Sequence, residues 1–150
     1  MSTGTATTID RATHTISFVR TLRAAPDQVF DAWTRPEQIA LWWDPEGAPL
    51  SDCTVELRPG GAFRFVMASA QEFAGVYRTV ERPSLLEFDA MGAFGTVSLQ
   101  ARGEATLMTV SIRCASSADL DRFVEMGVDT GTARTLDNLV AYLEGAALAH

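Results

Sequence analysis

The stretch from Asp119 to about Ala147 constrains the fold more than any other part of the chain. Leu120, Phe123, Val124, Val128, Leu136, Leu139, Val140 and Leu143 recur there at three- and four-residue intervals, which places them on one stripe of a helix. The opposite face carries Asp121, Arg122, Glu125, Asp129, Arg134 and Asp137. Ser116 or Ser117 is suited to cap the start, because a short hydroxyl side chain accepts from an unpaired first-turn amide, and Gly145 is a suitable stop. One uninterrupted rod of this kind is roughly 40 Å long, the span of a small domain. Its apolar stripe must then lie across a whole sheet. Gly127 and Gly131, on the same stripe, predict a close approach to that sheet or a bend over it.

Everything before the rod reads as strands and two short helices. From Thr13 to Arg23 apolar and polar residues alternate, with Ile16, Phe18 and Leu22 on the core side and Arg20 as an exception on the same parity. Pro26 then opens a short helix through Trp33, where its missing amide hydrogen is no loss. Thr34 to Glu37 has the spacing of a capping box and predicts a second helix ended by Pro45. Ser51–Arg58 and the run Phe63, Phe65, Met67 form a hairpin around Pro59-Gly60-Gly61, a type II turn by composition. Phe73–Glu81 pairs with Leu85–Met91 around Arg82-Pro83-Ser84, and Thr96–Arg102 pairs with Glu104–Arg113 around Gly103. On parity, Tyr77 shares a face with Phe73, Gly75 and Thr79. The expected architecture is α+β: a curved antiparallel sheet of six to seven strands wrapped on a long C-terminal helix, with two short helices after the first strand. One helix does not fill a strongly curved sheet, so a hollow between them is the expected by-product.

Composition narrows what such a domain does. A chain of 150 residues with 47% hydrophobic content is one globular unit, here residues 13–147 behind a disordered lead of residues 1–12. The net charge of −7 disfavours nucleic acid and acidic membrane surfaces as partners. All twelve basic residues are arginine, which leaves no lysine for Schiff-base chemistry. Cys53 and Cys114 are too far apart for a metal motif and too few for a disulfide scaffold, and read as free, at least half-buried thiols. The polar run Met1–Thr8 lacks the pattern of a signal peptide, and a soluble cytoplasmic protein is the expectation. His14 and His150 are the only histidines, so a histidine-centred triad or metal site is hard to assemble, and neither a metal nor a cofactor is expected.

Several segments in this order resemble the bacterial activator-of-heat-shock-90-ATPase homologue-like proteins. They are Ala25 to Trp33, Pro36-Glu37 with Trp42-Trp43, Arg58-Pro59-Gly60-Gly61, Gly75-Val76-Tyr77 before Pro83, and Leu136 to Leu139 with Tyr142-Leu143. The resemblance runs from about Ile16 to Glu144. It implies the START/polyketide-cyclase superfamily (SRPBCC) and its helix-grip, Bet v-like fold, in which an apolar cavity lies between sheet and last helix. It further implies a stress-response association, homodimerisation and a chaperone partner. Two positions depart from the family's pattern: Thr132 follows Gly131 where a tryptophan is common, and Asp44 stands where Trp-Trp-Gly-Pro has glycine. If the side chain at 132 points inward, the pocket is wider there.

The cavity wall is expected from Trp43, Phe63, Phe65, Met67, Tyr77, Phe88, Leu99, Phe123, Val128 and Thr132. Trp33 and Trp42 are expected to plug one end of the grip. Arg20 either snorkels out at an open sheet end or, if buried, meets a carboxylate or anchors an anionic ligand. The leading function is non-catalytic binding of a small apolar or amphipathic molecule in this cavity. The alternatives are a cyclase- or hydrolase-type enzyme using Arg20, Tyr77 or a carboxylate, and a chaperone-associated partner role.

Overall fold

A computed structural model describes residues 6–148. Its elements follow as β1 (Ala6–Asp10), β2 (Thr15–Leu22), α1 (Pro26–Thr34), α2 (Pro36–Trp42), β3 (Asp52–Val55), β4 (Ala62–Val66), β5 (Glu72–Glu81), β6 (Leu85–Ala90), β7 (Ala93–Arg102), β8 (Ala105–Arg113), α3 (Ser117–Glu125) and α4 (Val128–Leu148). The eight strands form one antiparallel sheet in the order β1-β2-β8-β7-β6-β5-β4-β3. Consecutive hairpins explain most of that order. The exception is β2, which pairs with the last strand while α1 and α2 carry the chain across to the far edge at β3.

Alternation decides which face is inside. Ile16, Phe18 and Leu22 of β2, Phe63 and Phe65 of β4, Val97 and Leu99 of β7, and Met108 and Val110 of β8 are buried against Leu120, Phe123, Leu136, Leu139 and Leu143 of the last helices. The helix-grip fold therefore stands, with one strand more than the expected six to seven. The additional strand lies in the segment expected to be a disordered lead: Ala6–Asp10 pairs with Thr15–Val19, satisfying the edge that β2 would otherwise expose. Met1–Thr5 and the terminal Ala149-His150 lie outside the described residues.

Turn chemistry sets the registers. Gly60 at φ +83° takes the position a type II turn requires, and Gly61 N donates to Arg58 O at 2.8 Å. A side chain at Gly61 would meet Glu56 O at 2.1 Å, so glycine is needed there for close approach. Met91 and Gly92, at φ +54° and +76°, make a two-residue turn of the type I′ kind. β7 consequently begins at Ala93 and not at Thr96 as the sequence suggested. A β-bulge between Tyr77 and Thr79 shifts the parity of β5, so Val80 pairs with inward Leu86 and Thr79 opposes Glu87. Thr79 therefore does not share the face of Tyr77, as simple alternation implied.

The helices show three further differences from the sequence reading. Arg35, not Thr34, is the N-cap of α2, and Thr34 Oγ1 donates instead to Phe30 O at 2.7 Å. On α1 the reciprocal half of a capping box is present, with Gln28 Oε1 accepting from Ala25 N at 3.0 Å. The single C-terminal rod is two helices. Ser116 caps α3 by accepting from Asp119 N at 3.1 Å, as expected, but Gly127 at φ +78° ends it and starts α4, which runs through Gly145 to Leu148. A left-handed residue cannot continue a right-handed helix, and glycine adopts it without a Cβ penalty. Among the described residues no helix is long and apolar enough to cross a membrane.

Candidate functional site: the hollow under the last helix

Between the inner face of β6–β8 and the helices α3 and α4 lies a hollow of about 320 Å³. Its floor is β6 to β8, contributing Phe88, Ala93, Gly95 and Val110; its roof is Phe123, Val128, Thr132, Thr135 and Leu136; its end wall is Trp33, Trp43 and Phe73. The space exists because small residues face a large ring. Gly95 pairs with Phe88, and a Cβ at Gly95 would fall 2.4 Å from that ring, so the ring lies across the bare backbone of β7. The helix break matters as well, since α3 supplies Phe123 and α4 supplies Val128, Thr132 and Leu136 to the roof, with Met126 at their junction. Met91 at the β6–β7 turn and Met126 at the α3–α4 junction both border the hollow and are 53% and 61% exposed, marking its mouth.

Of the residues read from the sequence as cavity wall, Trp43, Met67, Phe88, Phe123, Val128 and Thr132 border this hollow. Phe63, Phe65 and Tyr77 instead border a smaller void of about 20 Å³, separated from it by Trp33, Trp43, Phe73 and Phe88, which line both. Leu99 borders neither: it is buried in the ordinary core, further along β7 than the stretch Ala93–Gly95 that forms the floor. Arg20 also stays outside both spaces. It is 3% exposed, and its Nε donates to Asp137 Oδ1 at 3.1 Å and its Nη1 to Val19 O at 2.9 Å. The guanidinium thus fastens β2 to α4, neither snorkelling to water nor facing a ligand, because the carboxylate on the helix lies within its reach. Sequence reading did not single out Ala93, Gly95, Met91 or Met126. No periodic signal marks them, since small residues and turn residues define the space by what they leave out.

The end wall is a connected set of rings. Trp33 meets Trp42 edge-on at 5.0 Å, Trp43 meets Phe65 at 4.8 Å and Phe73 at 5.0 Å, and Phe63 stands at 89° to Phe88. Trp42 Nε1 donates to Ala32 O at 3.0 Å and Trp33 Nε1 to Met108 Sδ at 3.3 Å, so both are locked in the core. Trp42 is 1% exposed and borders neither space, whereas Trp33, expected to share its role as a plug, borders both. Trp43 is held by its backbone. Thr135 Oγ1 donates to Trp43 O at 3.0 Å, and Asn138 Nδ2 donates to Asp44 O at 2.9 Å, tying the end of α2 to α4.

Electrostatically the hollow is quiet. No Asp, Glu, Arg or His is among its lining residues, and among the described residues no group of three His, Cys, Asp or Glu is placed to hold a metal ion. Burial, with a smaller contribution from Cys53, pushes the Tyr77 phenol well above its ordinary value, so it stays protonated at neutral pH. Burial and then the charges of Asp52 and Glu37 push the Cys53 thiol up to about 11. Neither side chain is a base or nucleophile under ordinary conditions.

Known proteins share this architecture. A protein of Arthrobacter aurescens is similar at 24% identity and TM-score 0.82, covering 95% of this chain and 93% of that one. Protein Ms6760 of Mycobacterium smegmatis is similar at 19% identity and TM-score 0.80, covering 95% and 98%. An AHSA1-like protein of Aeromonas hydrophila is similar at 22% identity and TM-score 0.72, covering 89% and 96%. At these identities the likeness is one of fold. No curated protein matches the chain. The sequence pattern described as Activator of Hsp90 ATPase homolog 1-like protein matches residues 23–144, from the end of β2 into the last helix, and the chain belongs to that family.

Proposed function

We propose that this protein binds a small hydrophobic or amphipathic molecule in the hollow between its sheet and α4, without chemical conversion. The observation that carries this reading is an apolar space of about 320 Å³ that opens at Met91 and Met126 and has no ionisable side chain in its lining. Ligand pockets are concave, mostly apolar and commonly ~300–1,000 Å³, so the hollow belongs at the small end of that range. A cyclase or hydrolase needs an acid and a base within reach of one substrate atom, and the lining offers hydroxyls and indoles in their place. A chaperone-associated role is carried by the family's description alone, and a homodimer by the resemblance alone; both rank below the binding reading. The test is thermal unfolding against a library of neutral aromatic and aliphatic compounds. A dose-dependent rise in Tm supports ligand binding. No rise with any compound at concentrations near solubility refutes it.

A further inference from the structure

Three threonines face different surroundings on α4. Thr130 Oγ1 donates to Gly127 O at 3.2 Å and Thr135 Oγ1 to Trp43 O at 3.0 Å. Thr132 Oγ1 has no hydrogen-bond partner among the described residues, although Thr132 is half-buried and borders the hollow. No buried side-chain oxygen or nitrogen among those residues is left without a partner, so this hydroxyl retains open surface. The three indoles divide in the same way. Trp33 and Trp42 use their indole N–H groups inside the core, while the indole N–H of Trp43, which borders the hollow, meets no protein acceptor among the described residues. Polar groups at the edge of an apolar space usually find a partner, and here protein does not supply it.

Resting on the binding reading above, we propose that the hollow selects an uncharged, flat aromatic molecule carrying one hydrogen-bonding oxygen, and that Thr132 Oγ1 receives that oxygen. Flatness follows from the walls: the rings of Trp33, Trp43, Phe73 and Phe88 border the space, and rings pair best edge-on or offset with other rings. Absence of charge follows from the lining, which holds nothing to offset a buried ion, and from Arg20, whose guanidinium is engaged with Asp137 away from the hollow. The oxygen is assigned to Thr132 from its place on the roof, opposite the apolar Ala93, Gly95 and Val110; Ser111 on β8 is a second hydroxyl in the lining, and the T132V variant separates the two.

The experiment is calorimetric titration of the whole chain with naphthalene, 2-naphthol and 2-naphthoate at neutral pH. These share a ring system and differ in having no polar group, a neutral hydroxyl, or a charged carboxylate. The expected order places 2-naphthol tightest and 2-naphthoate at least about tenfold weaker, as burying an unpaired carboxylate demands. T132V removes the hydroxyl at constant shape and is expected to weaken 2-naphthol about fivefold while leaving naphthalene unchanged. T132S keeps the hydroxyl and is expected to bind 2-naphthol like the parent, with circular dichroism checking that both variants fold. Equal weakening of naphthalene and 2-naphthol by T132V, or 2-naphthoate binding as tightly as 2-naphthol, overturns the assignment while leaving ligand binding intact. No binding of naphthalene or 2-naphthol by the parent overturns the binding reading itself.

Discussion

Filling the hollow from its roof is the most direct perturbation. Thr132 borders the space and is half-buried, so Thr132→Trp sends an indole into it without displacing a core side chain. A tryptophan buries roughly 150–250 Å². Taking roughly 100 Å² of that as new apolar burial gives about 2.5 kcal/mol at about 25 cal/mol per Å². Fixing the ring's rotamer returns about 1 kcal/mol of that. The net gain is about 1.5 kcal/mol, or a rise of roughly 3–6 °C in Tm for a domain of this size. Thermal and urea unfolding measure the gain, and titration with 2-naphthol measures the second consequence, loss of binding at the filled site. A variant that folds but is less stable than the parent by more than about 1 kcal/mol signals overpacking, and with it an interior already full. A variant that is more stable yet binds 2-naphthol unchanged places the ligand elsewhere. Either result refutes the reasoning.

The remaining expectations concern the supports of the site. Asp137→Ala removes the carboxylate that meets the buried Arg20, and should cost about 1–3 kcal/mol in urea unfolding; a loss below a few tenths would mean that the bridge behaves as a surface pair. Gly127→Ala forces a Cβ onto a residue at φ +78°, where space is available but the backbone is strained. The expected loss is about 1–2 kcal/mol, with an unchanged denaturant m-value; no loss would mean that α3 and α4 join into one straight helix in solution. Since the Cys53 thiol is pushed up to about 11, its thiolate fraction rises about tenfold per pH unit from neutrality to about pH 10. Its alkylation by iodoacetamide, followed by peptide mass spectrometry, should climb over that range; a plateau near the ordinary thiol value of about 8.5 contradicts the burial assigned to it.

Which features could be read from residue order alone follows from the range of the forces involved. Alternation along β2, β4 and β8, proline and glycine in the turn at Arg58–Gly61, and the apolar stripe from Leu120 to Leu143 are local signals, and they sufficed for the helix-grip architecture. Of the six wall residues that border the hollow, Met67, Phe88, Phe123 and Val128 follow from parity and helical spacing, Trp43 from the cluster of indoles, and Thr132 from the departure from the family's pattern. Signals that depend on distant neighbours misled or were silent. The parity of β5 failed beyond Tyr77 because a bulge inserts one residue, and bulges are set by the pairing strand. Gly127 was compatible with a bend or with close packing, and only the φ it takes makes it the end of one helix and the start of another.

The sequence determined the inner and outer faces, because burial of apolar side chains follows a period that neighbouring residues reveal. The tertiary structure decided where that burial is incomplete. Leu99 and Phe88 are equally apolar, yet one is core and the other borders the hollow, since Gly95 leaves room beside the ring and nothing comparable lies beside Leu99. Arg20 looks like an anchor for an anion until Asp137 is brought to it from α4, a partner far away in the chain. A cavity is what packing leaves over, and it depends on how three-dimensional surfaces meet, which no short-range pattern in the chain encodes.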